Sequence, residues 1–260
     1  MNQQQLQSAK RVVIKVGSSS ITGGNEANLD RIVDFAVRLR GLGKEVVVVS
    51  SGAIATAAPL IGLTVKSEDL ATSQALASIG QARLMARYER SLSRHDMIPA
   101  QILLTVDNLN EEVTRTNAQR ALERLIEIDV IPIINENDSV ATQEIRFGDN
   151  DQLAARVAIL FGADLLVLLS DVDALYTAPP SEPGAQPIEI VRSGDDLGHI
   201  QVSGTSTGYG TGGALTKLAA AKMAADAGVS VILTATENVD RLDSEHCRHT
   251  WFEPSTTGQG

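Results

Sequence analysis

One cysteine in 260 residues excludes an intrachain disulfide and a cysteine-built metal cluster, and leaves Cys247 as a bystander. Positive charge is also short. Against 32 Asp and Glu stand 22 Lys and Arg, a formal net charge of −10 at pH 7. Such a chain lacks the basic footprint that many phosphates demand, so no nucleic-acid partner is expected. A small anionic substrate stays open, because a few Lys gathered in one pocket can dominate the field there. Long apolar runs are missing as well: VAILFGADLLVLLSD is broken by Asp164 and stopped at Asp171, so no membrane span is expected. The opening MNQQQLQSAKR has no apolar h-region of a secretory signal. The four His show no metal-ligand spacing and are expected at the surface. A Walker A phosphate loop is absent too, since the one Gly-Lys pair, Gly43-Lys44, is followed by Glu45. These absences point to a cytoplasmic protein with no metal ligands of its own.

What is present is a globular composition, with 43% hydrophobic residues. Apolar, β-branched runs at 11–16, 44–50, 97–105, 130–135, 163–171 and 229–235 read as strands. Their near-continuous Val, Ile and Leu suit strands covered on both faces. Helical patterns lie between them, at about 29–40, 68–93, 113–127, 150–161 and 214–227. The first is opened by Asn28 as N-cap and closed by Gly41. Alternation over the whole length predicts an α/β sandwich. The Pro-rich stretch 177–187 reads as a loop or hairpin excursion rather than a linker. The organisation expected is a flexible N-terminus over 1–10, a single domain over 11–253 and a disordered tail over 254–260.

Polar residues concentrate where strands end, in KVGSSSIT, VVSSGAIA, IINENDSV and LLSDVDALYT. Ligands of open α/β sheets bind outside the carboxyl ends of strands, so four such endings point to a shared crevice. Lys15 within an apolar strand is either an edge residue reaching solvent or a phosphate ligand. Gly17, Ser18 and Ser19 offer N–H groups and hydroxyls to an anion. Ser51 can cap a helix N-terminus, which is itself an anion site. Ser170, Asp171 and Asp173 are either turn formers or contacts for a nucleotide and its metal.

The segment SGTSTGYGTGGALTKLAAAK (203–222) invites several readings. Residues 208–213 match a dinucleotide fingerprint, but lie late in the chain within a flexible run. Residues 204–208 match a hydrolase nucleophile elbow at Ser206, with Asp243 and then His246 or His249 in triad order. The remaining reading is a Gly-rich loop with Thr216 and Lys217 at a helix start, suited to polyphosphate outside the Walker class.

Taken together, KVGSSSIT, SSGAIA, QALASIGQARLM, ILLT, IPIINENDSVATQEIRFGDND, SDVDALYT and GTGGALTKLAAA resemble the amino acid kinase family over about residues 11–235. The paired INEND and GDND are similar to the branch that phosphorylates the γ-carboxylate of L-glutamate, the first step of proline synthesis. Branches acting on acetylglutamate, aspartate, UMP or carbamate differ there. The resemblance implies a three-layer αβα sandwich around a mainly parallel sheet. It implies Lys15 and Lys217 flanking the transferred phosphoryl group, with Asp151 organising both lysines. Ser51, Gly52, Asn135, Asp138 and Asn150 would hold glutamate. Lys15, Gly17, Ser170, Asp171 and the run Thr211, Gly212, Gly213, Ala214, Leu215, Thr216 and Lys217 would hold ATP, with Mg²⁺ on its phosphates.

Implied partners are a second copy (a dimer or tetramer), proline as feedback inhibitor and a glutamyl-phosphate reductase. The form implied lacks the C-terminal PUA domain of many bacterial members. Three positions depart from the family pattern: Ala214 replaces a usual Met, Ala174 a usual Gly, and Ser20 stands at a commonly apolar place. A sibling kinase with another acidic substrate is the alternative enzyme. A non-catalytic nucleotide- or amino-acid-sensing module is the alternative of another class, against which the retention of Lys15, Asp151 and Lys217 argues.

Overall fold

The computed structural model describes residues 6–63, 69–140, 150–195, 197, 214–242 and 247–255. All six expected strands form, as β1 (Arg11–Val16), β2 (Glu45–Ser50), β3 (Pro99–Leu104), β4 (Ile131–Glu136), β5 (Leu165–Ser170) and β9 (Ser230–Ala235). They build one sheet in the order β3-β4-β2-β1-β5-β9, with every neighbouring pair parallel. Two short strands the sequence reading missed, β8 (Ile190–Val191) and β10 (Thr250–Phe252), extend the β9 edge, β10 running antiparallel to β9. Strands of two and three residues carry no readable period. The Pro-rich excursion is a hairpin between β6 (Leu175–Tyr176) and β7 (Pro187–Ile188).

Helices cover both faces. In chain order they are α1 (Ser18–Ile21), α2 (Asn28–Gly41), α3 (Ala53–Ile61), α4 (Leu70–Ser93), α5 (Val106–Asn110), α6 (Glu112–Glu127), α7 (Asn150–Phe161) and α8 (Ala214–Asp226). The N-cap of α2 is Ala27, so Asn28 is its first helical residue rather than its cap. Helix α3 follows β2 directly, where a helix start at Ser51 was one reading, and carries Pro59 near its end.

Alternation along each strand splits the core in two. Val12, Ile14, Val16, Val46, Val48, Leu165 and Val167 pack with α2 and α4 through Ile32, Phe35, Leu39, Leu84 and Tyr88. Val13, Val47, Val49, Ile134, Leu166 and Leu168 pack with α6, α7 and α8 on the other face. The period of two puts Lys15 on the Val13 face, beneath α7. Helices α7 and α8 meet there through Ala154, Ala155 and Ala158 on one side and Ala220, Ala221 and Ala224 on the other. Small side chains let the two helices run close, so their N-terminal turns open onto the same end of the sheet.

Candidate active site

Strands β4, β2, β1 and β5 are adjacent and parallel, so the four polar endings lie along one edge of the sheet. This is the crevice position of open α/β folds. At its centre is Asp151, the second residue of α7 and 1% exposed. Its Oδ1 takes the ammonium of Lys15. Its Oδ2 lies 3.5 Å from Lys217 Nζ and accepts a hydrogen bond of 3.2 Å from the Thr216 hydroxyl. Both lysines are buried.

Burial alone would push the Asp151 carboxyl up, but the charges of Lys15 and Lys217, together with hydrogen bonds from Lys15 and Thr216, outweigh it and hold the group below its usual value. Its place in the first turn of α7 adds the favourable end of the helix dipole. Lys217 is shifted down, first by burial and then by repulsion from Lys15, with Asp151 and Asp171 partly offsetting both. The arrangement is two cations on the two oxygens of one carboxylate. Its net charge is positive, and it sits where no water shell dilutes it.

Gly17 follows β1. A Cβ there would lie 3.7 Å from Lys15 Nζ and 3.6 Å from Ser20 Oγ, so the Gly17 turn lies directly against the lysine. Ser170 ends β5 and its hydroxyl donates to Asp171 Oδ1 at 3.0 Å; Asp171 itself is exposed. Ala214 and Leu215 open α8 beside Thr216 and Lys217, with Leu215 exposed. Thr211, Gly212 and Gly213 were also expected to hold nucleotide, and lie outside the described residues. So do Ser206 and His246 of the hydrolase reading, which therefore gains no geometry.

On the β2 side the helix cap differs from expectation. Gly52, not Ser51, is the N-cap of α3; it has φ +108° and makes no side-chain cap bond. Only glycine adopts that φ freely. The Ser51 N–H instead donates to Val16 O at 2.9 Å, which ties the β2 ending to β1. Beneath it Tyr88 donates to Ser50 Oγ at 2.8 Å, and Ser50 donates to Ser51 O at 3.0 Å.

Next to this corner is a cavity of about 280 Å³ whose lining includes Ala53, Gln81, Gln101, Glu136, Asp138 and Ser139. Asp138 opens the 3-10 turn Asp138–Val140 after β4. Burial pushes its carboxyl up to about 6. Asn135 is buried in β4 and does not open directly onto solvent. Its Oδ1 accepts from Glu136 N–H at 2.8 Å, and its Nδ2 donates to Gln81 Oε1 at 2.7 Å. The backbone N–H therefore fixes the orientation of both amides, since each oxygen must face a donor. Asn150 heads α7 and is buried, its Oδ1 without a partner among the described residues.

Gln81 had no role assigned from sequence, although it lies inside QALASIGQARLM. Its neighbour Gly80 explains how α4 approaches so closely: a Cβ at Gly80 would fall 1.8 Å from Ala53 O. Of the histidines, His95 pairs with Asp34 at 2.7 Å and His249 with Cys247 O at 2.7 Å. Both are half-buried rather than on the surface, and neither joins the site. Among the described residues no group of three or more His, Cys, Asp or Glu is gathered to hold a metal, and no helix is long and apolar enough to cross a membrane.

A sequence profile of the amino acid kinase family matches residues 10–235, a span that includes Lys15, Asp151 and Lys217. The chain belongs to the amino acid kinase family. It is 55% identical over 248 residues to a glutamate 5-kinase from Clavibacter michiganensis subsp. michiganensis, covering 95% of each chain. It is 53% identical to a glutamate 5-kinase from Leifsonia xyli subsp. xyli, covering 96% of this chain and 93% of that one. Against a glutamate 5-kinase from Salinispora arenicola the identity is 47%, over 95% of this chain and 68% of that one. Among solved structures, carbamate kinase from Giardia lamblia bound to AMP-PNP superposes with a TM-score of 0.65 at 15% identity, covering 96% and 100% of the two chains. At that identity the likeness speaks for the fold alone: this amino acid kinase has the mainly parallel, three-layer architecture expected.

Proposed function

We propose that the chain catalyses ATP-dependent phosphorylation of the γ-carboxylate of L-glutamate, giving γ-glutamyl phosphate and ADP, the opening step of proline biosynthesis. The observation that carries the reading is the pair of buried ammonium groups held on the two oxygens of Asp151. Relatives at 53–55% identity over nearly the whole chain support the choice of substrate.

The chemistry needs what this site offers. A carboxylate oxygen of glutamate attacks the γ-phosphorus, that O–P bond forms, and the bond from phosphorus to the β,γ-bridging oxygen breaks with its electron pair leaving on ADP. No proton moves, because a carboxylate is already ionised at neutral pH, so no general base is required. The difficulty is bringing two anions together. Lys15 and Lys217 answer it with fixed cations on the phosphoryl oxygens, in a site that excludes water. Asp151 acts as anchor, preventing the two ammonium groups from repelling one another out of place. Mg²⁺ entering with ATP would spread the remaining phosphate charge, held by the nucleotide together with the exposed carboxylate of Asp171. Gly17, Ser170 and the start of α8 would line the nucleotide side.

Glutamate would lie on the other side, between the Ser51–Gly52 corner and the cavity at Asp138. The Asp138 carboxylate is the natural partner for the α-ammonium, and Asn135, braced by Gln81, and Asn150 supply polar amide groups nearby. ATP consumption measured across a panel of acidic amino acids tests the proposal. Turnover that depends on L-glutamate is expected. Turnover with another acid and none with glutamate would overturn it, and ATP binding without turnover on any acid would favour a sensing module.

A further inference from the structure

We propose that Ser20 and Thr236 are positioning residues for the nucleotide half of this site, acting through a buried hydroxyl chain that spans three strand ends. The proposal rests on the kinase reading above. Strand β5 lies between β1 and β9 in the sheet. Ser20 stands in α1, just after the β1 turn, and Thr236 opens the 3-10 helix Thr236–Arg241 that follows β9. The Thr236 hydroxyl lies 2.7 Å from Ser20 Oγ and 3.1 Å from the carbonyl oxygen of Ser170, the last residue of β5. Ser20, Ser170 and Thr236 are each at most 5% exposed.

The direction of the chain follows from valence. A carbonyl only accepts, and Thr236 has one hydroxyl proton. With both contacts made, Ser20 donates to Thr236, and Thr236 donates to Ser170 O. This bridge crosses the end of β5 from one neighbouring strand to the other, so it fixes the Ser170–Asp171 backbone relative to the Gly17 turn. The same Ser20 N–H donates to Gly17 O at 3.2 Å, and Ser20 Oγ is 3.6 Å from where a Gly17 Cβ would be. The Gly17 turn in turn lies against Lys15 Nζ. The hydroxyl chain thus sets the spacing between the lysine and Ser170–Asp171. Ser20, Ser170 and Thr236 are not among the residues lining the cavity at Asp138, so loss of the chain should register on MgATP and far less on glutamate.

The deciding experiment is a set of Ser20→Ala, Thr236→Val, Thr236→Ser and the Ser20→Ala/Thr236→Val double variant. Each is assayed for KM of MgATP, KM of glutamate and kcat, with calorimetric binding of a non-hydrolysable ATP analogue in parallel. Loss of one buried hydrogen bond corresponds to a rise of roughly three- to tenfold in KM for MgATP or in the analogue's Kd. KM for glutamate is expected to stay within about twofold, Thr236→Ser to retain wild-type behaviour, and the double variant to be no worse than the more affected single one. A fall in melting temperature with both KM values unchanged would overturn the proposal. So would an equal rise in both KM values, or full additivity of the two substitutions. Failure of the kinase reading shows separately, as wild-type protein without glutamate-dependent turnover; analogue binding then still reads the hydroxyl chain.

Discussion

Asp151 holds Lys217 at 3.5 Å on one carboxylate oxygen and the Lys15 ammonium on the other, so one buried anion serves two cations from different elements. Removing a partner from such a group has unequal consequences. Lys217→Ala leaves a one-to-one pair of Lys15 and Asp151, and the fold should tolerate it with little change in Tm. The transition state loses a cation, and kcat should fall by about 10²–10³. Asp151→Asn instead leaves two buried ammonium groups facing each other. It should lower kcat by a similar factor and also cost about 3–5 kcal/mol in stability. Chemical denaturation beside steady-state kinetics separates the two outcomes.

The glutamate side should show its own pH dependence. Burial raises Asp138 to about 6, so in the free protein it is half protonated at that pH and mostly protonated below it. A bound α-ammonium favours the ionised form, so binding below pH 6 must expel a proton. KM for glutamate is therefore expected to be flat above about pH 7 and to rise by up to about tenfold per unit below pH 6. The γ-carboxylate of the substrate reaches half protonation only near about pH 4.3 and does not account for an effect that sets in near pH 6. In Asp138→Asn the inflection should vanish, with KM high throughout.

Gly80 is the position least able to accept any side chain. Its missing Cβ would lie 1.8 Å from the Ala53 carbonyl oxygen, a backbone atom that cannot rotate away. Gly80→Ala should force α4 off the start of α3, at a cost of about 1–3 kcal/mol or more, despite the better helix propensity of Ala. Because Gln81 and Ala53 both line the cavity, KM for glutamate should rise together with the loss of stability. Thermal melts and kinetics on the same preparation check both.

Tyr88→Phe tests the support beneath the β2 ending. The phenol is buried, its ionisation pushed up to about 12 chiefly by desolvation, so it serves as a neutral donor to Ser50. Its loss should cost about 1 kcal/mol and raise KM for glutamate a few-fold through the Ser50–Ser51 turn, leaving KM for MgATP unchanged.

Much of this was legible in the chain. The β-branched runs revealed all six main strands, because strands covered on both faces need apolar residues throughout. The switch from apolar to polar at Ser50, Asn135 and Ser170 marked the sheet edge along which the candidate residues gather. The period of two also sets Lys15 on the α7 face. What stayed hidden depends on pairs distant in sequence. Nothing local tells that Gln81 braces Asn135 across 54 residues, or that Thr236 reaches Ser20 across 216. The cap at Gly52 rather than Ser51 was hidden for another reason: a positive φ is invisible until the turn is built. Strands β8 and β10 were too short to show a period.

The most direct measurement is hydroxylamine trapping of the product. An acyl phosphate reacts with hydroxylamine to give a hydroxamate. Purified protein with ATP, Mg²⁺ and L-glutamate should accumulate γ-glutamyl hydroxamate in proportion to ADP, and Lys217→Ala should reduce it by about 10²-fold or more. ADP formation without hydroxamate, or hydroxamate formation at an unchanged rate in Lys217→Ala, would contradict the account.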